Sequence, residues 1–67
     1  MNKLPPELRK QFDDHLAAAL EEMLAPLGGK KLRRALAALT EWRATGPVGT
    51  AADLKEQARQ AIAKVIH

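Results

Sequence analysis

The sequence predicts a small all-α protein: a three-helix, up-down-up bundle with helices at about 6–26, 30–44 and 51–66. Three observations predict it. Alanine stands at 13 of 67 positions, Phe12 and Trp42 are the sole aromatic residues, and β-branched residues are few, a composition that favours helix and disfavours strand. Apolar residues recur three and four apart, the helical period. Two glycine–proline breaks, at 26–29 and 46–47, divide the chain into three such stretches.

The first helix is expected to start at LPPEL. Pro6 suits the first turn, where an amide donor has no partner in any case, and Glu7 favours the positive end of the dipole. Leu8, Phe12, Leu16, Ala19, Leu20, Met23 and Leu27 form its apolar stripe, with Asp14, Ala17, Glu21 and Ala25 away from it. Pro26 disfavours helical geometry at Ala25, and Gly28 and Gly29 complete the stop. The second helix carries Leu32, Ala35, Leu36 and Leu39 inward, with Trp42 at the edge of the stripe, and ends at Gly46 and Pro47. The third begins with a capping box, Thr50 reaching the amide of Asp53 and Asp53 reaching back. Its stripe is Leu54, Ala58, Ala61, Ile62, Val65 and Ile66. Both connections are short, which favours antiparallel neighbours.

Length makes this one domain, and a chain below about 70–80 residues rarely obtains more than roughly 3–5 kcal/mol from its core. Cysteine is absent, so neither a disulfide nor a thiolate metal site supplements it. Self-association is the remaining common means, and the bundle is expected to form a homodimer. The amino terminus has no signal-peptide pattern and no run of about 18 apolar residues occurs, so a cytoplasmic protein outside the membrane is expected.

The net charge of +3 is unevenly placed. Residues 1–27 set Lys3, Arg9 and Lys10 against Glu7, Asp13, Asp14, Glu21 and Glu22, a net −2. Residues 28–45 set Lys30, Lys31, Arg33, Arg34 and Arg43 against Glu41, a net +4; the remainder contributes +1. Cations at a helix amino terminus oppose the macrodipole, so something should offset them. An antiparallel hairpin would bring Glu21 and Glu22 to Lys30, Lys31 or Arg34. The alternative is an external anion. Lys30, Lys31, Arg33 and Arg34 are then the candidates for nucleic acid or for an acidic partner, the second helix reading DNA as in a helix-turn-helix unit. Against that, the cations fan around the helix, and no asparagine or glutamine stands beside them to read adenine. A basic helix ending in tryptophan also suits a membrane surface, but the bundle needs the same apolar stripe.

Trp42 reads in two ways, as a lid on a small core or as an interface anchor. In the second role Arg34, Trp42, Arg43 and Val48 of the TGPVGT loop make one partner-binding face. His15, at a stripe edge, gathers too few ligands for a metal, and His67 is terminal. Adjacent carboxylates, Asp13–Asp14 and Glu21–Glu22, point about 100° apart on a helix and make no paired acid. Serine and cysteine are both missing, which removes the usual nucleophiles. Gly28-Gly29-Lys30-Lys31 lacks the spacing of a phosphate-binding loop and the strand before it. The sequence therefore points away from an enzyme and from any cofactor or metal. It points to an interaction module that self-associates or binds a partner protein through its Ala/Leu helix face and basic, Trp-containing second helix. The alternative is a nucleic-acid-binding regulator using the Lys30–Arg34 cluster.

Overall fold

In the computed structural model, which describes residues 4–66, the chain is all-helical: α1 (Pro6–Arg9), α2 (Asp14–Leu24), α3 (Gly29–Ala44) and α4 (Ala51–Ile66). The first expected helix is thus two helices, and 6–26 is corrected to 6–9 and 14–24. Asp13 makes the break. Its backbone is extended (φ −71°, ψ 166°), and its carboxylate accepts the Leu16 N–H at 2.7 Å. An aspartate that caps the following turn competes with the intrahelical ladder at its own position. The chain therefore stops at Lys10, turns, and restarts with a capped α2.

The restart shifts the helix phase. In α2 the buried residues are Leu16, Ala17, Leu20 and Leu24. Ala17, expected outside the stripe, is 1% exposed, and Leu24, absent from that stripe, is fully buried. Ala19, Met23 and Leu27 are half-buried instead. A stripe drawn through one continuous helix carried the α1 register across a turn that interrupts it.

α4 is the centre of the packing. It runs back along α3, its most extensive neighbour, and also packs on α2. Leu20, Leu24 and Leu39 are the largest fully buried side chains, joined by Leu16, Ala17, Ala35, Ala58 and Ile62. Alanines at Ala35 and Ala58, both 0% exposed, let α3 and α4 approach closely. Leu4 and Leu8 bring the segment before α2 onto the same core, and Arg9 forms an ion pair with Glu21 of α2. Phe12 stacks on Trp42 of α3, ring centroids 6.0 Å apart and 16° from parallel. The described residues form four helices where three were expected, and residues 4–12 form a short strap on the others.

Local chemistry sets the remaining boundaries. At Thr50 the capping box forms in both directions: Asp53 N–H donates to Thr50 Oγ1 at 3.2 Å, and Thr50 N–H donates to Asp53 Oδ2 at 3.3 Å. Gly46 takes φ +70° after α3, as the expected stop requires. Gly28 and Gly29 differ from expectation, since they begin α3; Gly28 is its extended N-cap and Gly29, at φ +53°, its first residue. The radius of gyration, 10.7 Å, matches the roughly 11 Å of a compact chain this long. Among the described residues no helix is long and apolar enough to cross a membrane.

Candidate basic interface at the start of α3

α3 begins without the usual neutralising devices. Gly28 offers no side-chain cap, and the first turn contains no acidic residue. Lys30, Lys31, Arg33 and Arg34 are all exposed. The expected local partners are engaged elsewhere or absent: Glu21 pairs with Arg9, and no carboxylate among the described residues lies within ion-pair distance of the four cations. The anticipated Glu21/Glu22 offset is therefore not formed. α2 ends at Leu24 before a four-residue connection, and Glu21 is paired with Arg9 of the strap.

The four cations fan over about 160° of the helix, from Arg33 to Lys31. Core packing through Ala35, Ala38 and Leu39 fixes the inward side of α3. At about 100° per residue, Lys30 lies opposite Leu39, with Arg33 about 60° to one side and Arg34 about 40° to the other. These three share one solvent-facing arc, and Lys31 lies on its flank. Among the described residues none of the four cations is in an ion pair, and the positive end of the helix dipole lies beneath them.

The residues of the second expected face lie along α3 and the loop after it. Arg34 stands eight residues before Trp42, about 12 Å along the helix axis, and belongs to the basic arc. Trp42 and Arg43 are half-buried, whereas Val48 is 82% exposed. The Trp42 indole stacks on Phe12 and makes a long contact to Gln57 Oε1, 3.4 Å from Nε1, so it closes the strap onto α3. Trp42, Arg43 and Pro47 line a cleft of about 170 Å³ with Gln11, Phe12, Asp13, Leu16 and Leu54. Pockets that hold small-molecule ligands are larger, roughly 300–1,000 Å³. The strap side of this cleft is not legible in the sequence, since Phe12 also fits the stripe of one continuous helix.

His15 is exposed, and no cluster of three or more histidine, cysteine or acidic side chains forms among the described residues. The ion pair of Glu56 and Arg59 is peripheral. Hydrogen bonding from Arg59 holds the Glu56 carboxyl below its usual range, with Arg59 Nε at 2.7 Å from Glu56 Oε2 on the exposed face of α4. No protein-family model, characterised protein or solved structure matches the chain.

Proposed function

We propose that the protein is a small non-enzymatic binding module and that the start of α3 docks on nucleic acid through Lys30, Lys31, Arg33 and Arg34. One observation carries this reading: four exposed cations crowd the positive end of a helix, and no carboxylate among the described residues is in an ion pair with them. Such an arrangement costs stability in the free protein and is relieved by a phosphate chain, which lysine and arginine recognise. The test is fluorescence anisotropy with labelled nucleic acid at low salt. Wild-type protein is expected to bind. A variant with all four cations replaced by glutamine is expected to lose binding while keeping its helical circular dichroism. Absence of wild-type binding at low salt refutes the proposal.

A second reading is favoured by a specific observation. Val48 is the one large apolar side chain among the described residues that is strongly exposed, and it follows Pro47 in the wall of the aromatic cleft. It supports the use of Trp42, Arg43 and Val48 in a homodimer or partner-protein contact. Light scattering on Val48→Asp tests it: a dimeric wild type and a monomeric, folded variant are the expected results, and a monomeric wild type removes the dimer.

A further inference from the structure

We infer that the α3 patch grips the phosphate backbone end-on and does not read bases, so that its nucleic-acid binding is indifferent to sequence; this rests on the binding role proposed above. Groove reading needs a helix face laid along the base edges, with donors and acceptors to meet them. α3 cannot supply one. Its arc continues past the cations through Ala37 and Ala44, which offer no polar group. Thr40 donates its hydroxyl to the Leu36 carbonyl at 3.0 Å. Glu41 returns to within about 20° of the Lys30 direction, so a helix lying in a groove would bring a carboxylate toward phosphates.

The helices that would flank the groove oppose it as well. α2 presents Asp13 and Asp14 at its start, and Asp13 is fixed there as the cap. α4 starts with Asp53, held in its own capping box. A helix-turn-helix dock, which places the preceding helix across the backbone, would set those carboxylates against phosphate. What remains is the first turn and a half of α3, where every charged side chain is a cation. Contact at a helix end reaches the backbone without entering a groove.

The experiment is an anisotropy titration of the full chain against two short duplexes of unrelated sequence and one of their single strands, over about 50 to 200 mM salt. Inorganic polyphosphate and poly-glutamate serve as competitors. The expected result is equal affinity for both duplexes, with a log–log salt slope of about −3 if three to four phosphates are neutralised. That slope corresponds to an affinity loss of about 60-fold across the range. Arg33→Gln should make the slope shallower by about one for either duplex, with an unchanged or raised thermal midpoint. Polyphosphate should compete. A difference of more than about tenfold between the duplexes, as one or two misread base pairs produce, overturns the inference and leaves the binding role standing. Poly-glutamate binding as tightly as duplex also overturns it, in favour of an acidic protein partner. No binding to any nucleic acid overturns the binding role itself.

Discussion

Asp13 is where one side chain determines most about this chain. Its carboxylate takes the Leu16 N–H at 2.7 Å, and that bond ends one helix and starts another. Asp13→Ala should therefore cost about 0.5–2 kcal/mol, the usual range for a lost N-cap. Urea denaturation followed by circular dichroism measures it. Asp13→Asn, which keeps an acceptor oxygen, should recover most of the loss; equal stability of the alanine variant and the wild type would mean the cap contributes nothing. The capping box at Thr50 was fully readable from residue types, because both partners lie within one turn and the motif is local. Asp13 was not read, since a doublet of aspartates between two leucine-bearing stretches also suits the wet face of one helix. Only the distance to Leu16 decides. Gly46 is simpler: it takes φ +70° and an added Cβ would meet nothing within 4 Å. Gly46→Ala should then lose only the backbone term, about 1–2 kcal/mol.

At the scale of the element, α3 carries its charges on the wrong end for its own stability. Each exposed cation in a first turn opposes the dipole by roughly 0.3–1 kcal/mol at low salt. Exchanging Lys30 and Lys31 for glutamate should therefore raise the thermal midpoint, while removing nucleic-acid binding. If the cations were structural, the same exchange would lower it, so one melting curve separates the two roles. α4 shows the opposite design. Its first turn holds Asp53 in the cap and its last holds Lys64, and Glu56 and Arg59 pair on its exposed side. Because the folded Glu56 pKa is lowered by the Arg59 hydrogen bond, its contribution is complete above the unfolded carboxylate pKa and fades as pH falls through the folded value. Glu56→Gln should remove that part of the acid dependence and little else, as befits an exposed pair. The charge asymmetry between helices was readable by counting. That Glu21 pairs with Arg9 was not, because it depends on how residues 4–12 lie against α2.

For the whole molecule the thin core is the governing fact. Helix existence and all-α class followed from composition and periodicity, since both are averaged over many residues. The packing order, with α4 against both α3 and α2 and the strap laid across, depends on where one turn interrupts the first helix and so could not be read from spacing. The consequence is unequal sensitivity. Leu20 is fully buried in α2, and Leu→Ala at such a site costs about 2–5 kcal/mol. A core of this size supplies roughly 3–5 kcal/mol in total. Leu20→Ala should then leave much of the population unfolded at 25 °C, with a flattened melting curve. The strap should fail more gently. Phe12 is half-buried and its stack on Trp42 contributes about 0.5–1.5 kcal/mol beyond area. Phe12→Leu keeps apolar volume and removes the ring, so it should shift the midpoint slightly and expose Trp42, seen as a red shift of its fluorescence in a protein that is still folded. If Phe12→Leu unfolds the chain as Leu20→Ala does, strap and bundle form one cooperative unit. If Trp42 emission does not move, the tryptophan is seated by α3 and α4 alone, through contacts such as Gln57, and the strap merely lies beside it.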